Sequence, residues 1–480
     1  MLYHLHELHR RFLNPLSVWA QATSELFSSP YSPLAYTPMS RRLSAGYELL
    51  HRIGKLYEKP EFGLQTTRVG DTDIPIVEEV LIEKPFCRLL HFKRVFPTKP
   101  KRAPDPRVLI VAPLSGHHAT LLRDTVRALL PDHDIWITDW IDSRLVPITA
   151  GPFHLDDYVH YVMEFVRELG PNVHLISVCQ PTVPVLAAVS LMASNRDPKL
   201  PKSMTMMGGP IDSRRSPTQV NALAKRKNIE WFENNVIFKV PSAYPGYLRR
   251  VYPGFLQHAG FVAMNPDRHL NSHWDYYLDL VKGDMDDVEG HRQFYDEYNA
   301  VLDLPAEYYL DTIKIVFQEH RLPNGTWDVR GQRVKPGDIT SVALFTIEGE
   351  LDDISGSGQT RAAHDLCKGI PKSKKQHLTV QGAGHYGIFS GRRWRDMVYP
   401  QLVKFILNHV PKTAPKAPAI VQPKAVVKTA AKTAKKTLAK AAPKTVAKPV
   451  AKPKAPVKAV AVTKPKASVK TAWVQPGKKA

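Results

Sequence analysis

The chain has 480 residues, 43% of them hydrophobic, and a formal net charge of +21 at pH 7. That is enough apolar material for a sizeable core. Its three cysteines, Cys87, Cys179 and Cys367, are odd in number and lack CxxC spacing, which excludes a disulfide framework or a cysteine zinc cage and suits a reducing cytosol. The charge is unevenly placed. Residues 412–480 contain 18 lysines and no Asp, Glu or Arg, so the first 411 residues carry only +3. The N-terminal run is polar and His-rich and lacks the apolar centre of a signal peptide. No uninterrupted apolar run approaches the roughly 18 residues of a membrane span, so the chain reads as soluble and cytoplasmic.

Residues 1–64 read as helical pieces broken at Pro15 and around Pro30, Pro33 and Pro38. Arg41–Lys59 has apolar residues three and four apart, which predicts a helix with Leu43, Tyr47, Leu50, Ile53 and Leu56 facing inward. Residues 65–211 then alternate. Ile74–Ile82, Leu89–Val95, Val108–Pro113, Asp134–Trp140, Val173–Cys179 and Ser203–Met207 read as strands. His118–Leu130, Leu155–Leu169 and Pro181–Ser194 read as helices. Alternation of this kind implies a doubly wound, mostly parallel sheet covered on both faces.

The pattern stops over residues 212–340. Residues 231–310 hold 16 aromatics, against 9% aromatics in the whole chain. We read an inserted, mainly helical cap, whose aromatics form either a second core or a surface that grips an apolar substrate. The sheet resumes over 341–411 with strands Val342–Ile347 and Gln376–Val380 and helices Gln359–Lys368 and Arg392–Asn408. The Lys/Ala/Pro-rich tail, 412–480, has too few large apolar groups for a core, which predicts disorder. Its lysines suit sequence-independent binding to DNA or another polyanion, with a merely solubilising extension as the plainer reading.

The chemistry centres on Cys179. An apolar strand ends at this residue and a helix begins at once, the setting of a nucleophile elbow. Asp352 follows a strand in Gly349-Glu-Leu-Asp352, with Asp353 as its rival, and His385 follows the last strand in Gly382-Ala-Gly-His385. Nucleophile, acid, histidine is the chain order of an α/β-hydrolase triad. In that arrangement His385 takes the thiol proton and Asp352 orients the ring. The backbone N–H of Gln180 is one oxyanion donor, and Leu114 or Ser115, after the strand Val108–Ala112, is the other. Cys87 and Cys367 lack this context, Cys367 lying in a helical pattern as core, and the histidines His117, His118, His258 and His273 read as structural or exposed. No metal-ligand spacing and no phosphate loop appears.

Several runs resemble the intracellular polyhydroxyalkanoate depolymerases: Met-Leu-Tyr-His-Leu-His-Glu at the N-terminus, Ser-Val-Cys-Gln-Pro at the elbow, Phe-Thr-Ile-Glu-Gly-Glu-Leu-Asp-Asp, and Gly-Ala-Gly-His-Tyr-Gly-Ile-Phe-Ser-Gly. The resemblance covers about residues 1–410. It implies an α/β-hydrolase fold with the triad Cys179, Asp352 and His385. It also implies hydrolysis of poly(3-hydroxybutyrate) ester bonds at the surface of cytoplasmic granules. No cofactor is implied, and coenzyme A enters only as an alternative acceptor to water. The rival is a polyhydroxyalkanoate synthase, whose elbow resembles G-x-C-x-G. Here Ser177 and Pro181 stand at the glycine positions, which favours the depolymerase.

Overall fold

The computed structural model describes residues 2–98 and 103–411. The disorder and polyanion binding expected of residues 412–480 lie outside the described residues. Two helices come first, α1 (Leu2–Ser28) and α2 (Ser40–Gly54). The central sheet begins with β1 (Thr66–Val69), β2 (Thr72–Lys84), β3 (Cys87–Arg94) and β4 (Arg107–Val111). Then follow α3 (Arg123–Leu129), β5 (Asp134–Trp140), α4 (Leu155–Leu169), β6 (Val173–Val178), α5 (Thr182–Ser194) and β7 (Ser203–Met207).

The chain then leaves the sheet. It forms helices α6 (Gln219–Arg226) and α7 (Ile229–Val236), strands β8 (Phe238–Lys239) and β9 (Arg250–Tyr252), helices α8 (Gly254–Met264), α9 (Pro266–Lys282) and α10 (Met285–Asn299), strand β10 (Leu304–Pro305) and helix α11 (Ala306–Thr312). A short hairpin, β11 (Asp328–Val329) and β12 (Gln332–Arg333), precedes the return to the sheet at β13 (Ala343–Gly349) and β14 (Lys375–Val380).

The nine strands lie in the order β1-β2-β3-β5-β4-β6-β7-β13-β14. Pairing is antiparallel from β1 to β5 and parallel from there to β14. Strands β4, β6, β7 and β13 are buried almost throughout, as strands covered on both faces must be. The chain winds from β4 outward to β5, then returns past β4 to β6. The order therefore reverses between β4 and β6, and a crevice opens beyond their carboxyl ends. This is the α/β-hydrolase arrangement that the sequence predicts.

Several expectations are corrected. Helix α1 continues without a break through Pro15. The ring sits on the solvent side, where water can meet the Arg11 carbonyl that a proline cannot reach. On α2 the predicted inward face points outward: Leu43, Leu50 and Ile53 are exposed, while Ser40, Ala45 and Arg52 are buried. Leu56 lies beyond the helix end and is also exposed. The buried side of α2 is polar because its partners are polar. Ser24 bonds Ser44, Ser17 bonds His51, Glu48 accepts from Tyr276, and Arg52 donates to Asp296 at 2.9 Å.

The helix expected over Gln359–Lys368 shrinks to Ala363–Leu366. The buried Glu348 carboxylate accepts from the N–H groups of Gly358 and Arg361, and this holds the preceding residues as turns. The last helix, expected over Arg392–Asn408, widens over Trp394–Val398 before it regains α geometry at Tyr399–Asn408. Pro400 there has no N–H to return to the preceding turn.

Candidate active site

Strand β6 ends in the crevice, and Cys179 follows it with φ +67°, a left-handed value unusual for a residue with a side chain. Such a conformation costs about 1 kcal/mol or more and is held only by its surroundings. Those surroundings are visible. The Cys179 N–H donates to the Met207 carbonyl at 2.7 Å, and Thr182 N–H donates back to the Cys179 carbonyl at 3.2 Å. Helix α5 then departs with Thr182–Met192 buried on every side.

The tight turn needs room, and glycines supply it from an unexpected place. A Cβ on Gly209 would stand 1.8 Å from Thr182 Oγ1 and 2.5 Å from the Cys179 carbonyl oxygen. A Cβ on Gly208, itself at φ +56°, would stand 2.8 Å from Ile388 Cδ1 and 3.1 Å from His385 Cε1. The elbow therefore lacks its own glycines because the end of the neighbouring strand β7 carries them.

Asp352 and His385 arrive from the loops after β13 and β14. His385 Nδ1 lies 2.8 Å from Asp352 Oδ2, with both side chains buried. The second Asp352 oxygen accepts from the N–H groups of Ile354 and Ser355, at 2.9 and 2.8 Å. The Cys179 side chain stands close enough to the imidazole for its charge to act on it. Burial alone would discharge the imidazole, but the negative charge of Asp352 and its hydrogen bond, with the neighbouring Cys179 side chain, raise its pKa well above the ordinary value. Asp353 points elsewhere: it is exposed and accepts from Asn265 of the inserted segment at 2.8 Å. The geometry pairs Asp352, not its neighbour, with the histidine.

A cavity of about 730 Å³ opens above these groups. Cys179, Gln180, Leu114, Ser115 and His385 all line it. The sheet supplies the floor, and Val220, Leu223, Phe261, Met264 and Ile313 of the inserted segment supply apolar walls. Cys87 and Cys367 are buried elsewhere, and burial pushes both thiols up, Cys367 to about 12.

Sequence reasoning missed the support of Gln180. Its side-chain Nε2 donates to Thr312 Oγ1 at 3.0 Å, and its Oε1 accepts from the Tyr308 hydroxyl. These partners lie more than a hundred residues away, so no local pattern could show them. His117, read as structural, also lines the cavity; burial lowers its pKa to about 4, and its Nε2 lies 3.2 Å from the Tyr298 carbonyl. Of the 16 aromatics over 231–310, five are buried, eight are half-buried and three are exposed. Tyr276, Tyr295 and Tyr298 are buried in a cluster with His269, His273 and His291. Among the described residues no helix is long and apolar enough to cross a membrane, and no His, Cys, Asp and Glu cluster could hold a metal ion.

Residues 208–410 match a family described as PHB de-polymerase C-terminus. The matched stretch includes Gly208, Gly209, Asp352 and His385, while Cys179 precedes it. Solved structures similar to the chain include a monoacylglycerol lipase of Paleococcus ferrophilus, at 13% identity over 64% of this chain and 96% of that one, TM-score 0.38. A thermophilic esterase from Thermogutta terrifontis is similar at 12% identity over 72% and 98%, TM-score 0.38. The 2-hydroxy-6-oxo-6-phenylhexa-2,4-dienoate hydrolase of Rhodococcus sp. strain RHA1 is similar at 12% over 70% and 99%, TM-score 0.39. A comparison with curated proteins finds no match.

Proposed function

We propose that the protein is an intracellular, granule-associated depolymerase that cleaves ester bonds of poly(3-hydroxybutyrate) through Cys179, His385 and Asp352. One observation carries the reading: a thiol beside a hydrogen-bonded imidazole–carboxylate pair at the floor of an apolar cavity. The PHB de-polymerase domain over 208–410 supports the choice of polyester.

The Cys179 sulfur attacks the ester carbonyl carbon while His385 holds the thiol proton. The carbonyl oxygen takes the negative charge, and the backbone N–H of Gln180 faces it with that of Leu114 or Ser115. Collapse expels the alkoxide end of the polymer, which takes the proton from His385, and leaves an acyl-thioester on Cys179. Water, deprotonated by His385, then releases a carboxylic acid and restores the thiol. Asp352 holds the ring and balances its positive charge throughout.

Mass spectrometry after brief exposure to amorphous granules tests this. A hydroxyacyl adduct on Cys179 and release of 3-hydroxybutyrate or its oligomers is the expected result, assayed with and without coenzyme A to identify the acceptor. Polymerisation of 3-hydroxybutyryl-CoA instead would overturn the proposal.

A further inference from the structure

The N-terminal hairpin is built the wrong way round for a helix pair that faces only water. Its seam is made of small and hydroxyl-bearing residues: Ser17, Ala20 and Ser24 of α1 are buried, with Ser17–His51 and Ser24–Ser44 bonds across it. The large apolar side chains stand outside. Leu2, Leu5, Leu8, Phe12, Leu16 and Trp19 recur three or four residues apart, so they form one line along α1. All are exposed, Leu5 by 61% and Phe12 by 73%.

At about 1.5 Å per residue the 27-residue helix is about 40 Å long. Met39, just before α2, and Leu43, Leu50 and Ile53 on it make a second exposed line. Tyr47 of α2 touches both Trp19 and Phe27 of α1, which places the two lines on one side of the hairpin. Exposed apolar patches of this extent mark interaction surfaces.

The charges around the patch indicate what covers it. Arg11, Arg41 and Arg42 are exposed and make no ion pair among the described residues. Two copies meeting through this patch would bring like charges together. A helix with Leu, Phe and Trp on one face and arginine beside it is instead suited to lie in the boundary of an apolar phase that bears negative charge. A polyester under hydrolysis is such a phase, because each cleaved ester leaves a carboxylate.

We infer that the apolar side of the α1–α2 hairpin docks the protein on the polyester surface, independently of the catalytic cavity. The identity of the polymer rests on the function proposed above. Docking is measured by co-sedimentation of the full chain with amorphous poly(3-hydroxybutyrate) granules, and catalysis by hydrolysis of a soluble butyrate ester. Replacing Leu5, Phe12 and Trp19 together by Ser should weaken granule binding at least tenfold and leave soluble-ester turnover within twofold. Replacing Arg11, Arg41 and Arg42 by Ser should give a smaller loss that vanishes at high salt. Unchanged granule binding by the Leu5/Phe12/Trp19 variant overturns the inference. So does a wild-type dimer that this variant splits without loss of granule binding. If the wild-type chain binds granules through the patch but releases no acid, docking stands and the proposed function fails.

Discussion

Helices α5 and α1 are both rich in apolar residues and meet opposite fates. Helix α5 is apolar on every side and disappears into the core directly behind Cys179. Helix α1 is apolar along one line, and that line faces outward. The first spends its apolar surface on stability, where it pins the strained turn. The second leaves its surface uncovered, where it is available to a partner and gives the isolated chain nothing. Composition does not separate these roles; angular distribution does.

The contrast can be broken by substitution. The largest effect belongs to Cys179→Ala, which should remove turnover on granules and on a soluble ester alike, by about a thousandfold or more, with the fold intact by circular dichroism. A variant that kept its activity would detach α5 from catalysis. Next, Leu186→Ala in α5 should cost about 3 kcal/mol in denaturant unfolding. Gly209→Ala should cost a similar amount, because its new methyl group meets Thr182 and the Cys179 carbonyl. Phe12→Ala on the line of α1 should change stability by less than about 0.5 kcal/mol. A large loss there would mean the stripe is covered within the chain itself.

Between these extremes lies pH. Burial holds His117 at about 4 and His118 and His174 at about 3, all below the usual 6.5. Below pH 6.5 the unfolded chain therefore binds protons that the folded chain refuses. Each group costs at most about 1.4 kcal/mol per pH unit until its folded value is reached. His385 runs the other way. Its folded pKa is raised, so its contribution is full in acid and is lost as pH rises through that raised value. Melting temperature should fall on acidification from pH 6.5 towards 4, and again in alkali. A flat profile in acid would show that the three buried rings are hydrated.

The sheet was legible because β4, β6, β7 and β13 are largely apolar runs between turns; Cys179 directly follows β6, and Asp352 and His385 lie in the loops after β13 and β14. Local signals failed where the deciding partner is distant. The apolar spacing on α2 predicted an inward face, but its neighbours Tyr276 and Asp296 select the polar side for burial. The missing glycines beside Cys179 could not be matched to Gly208 and Gly209 without knowing that β7 lies next to β6. Asp352 and Asp353 are adjacent in sequence, and only the turn through Ile354 and Ser355 separates their directions.

The grip of Tyr308 and Thr312 on the Gln180 side chain has a practical consequence for chimeras. These residues belong to α11, in the segment inserted between β7 and β13, while Gln180 belongs to the core. A graft that replaces that segment with one from another hydrolase must bring an equivalent hydroxyl pair. Otherwise it will leave the amide beside Cys179 without its two tethers, whatever shape the new walls give the cavity.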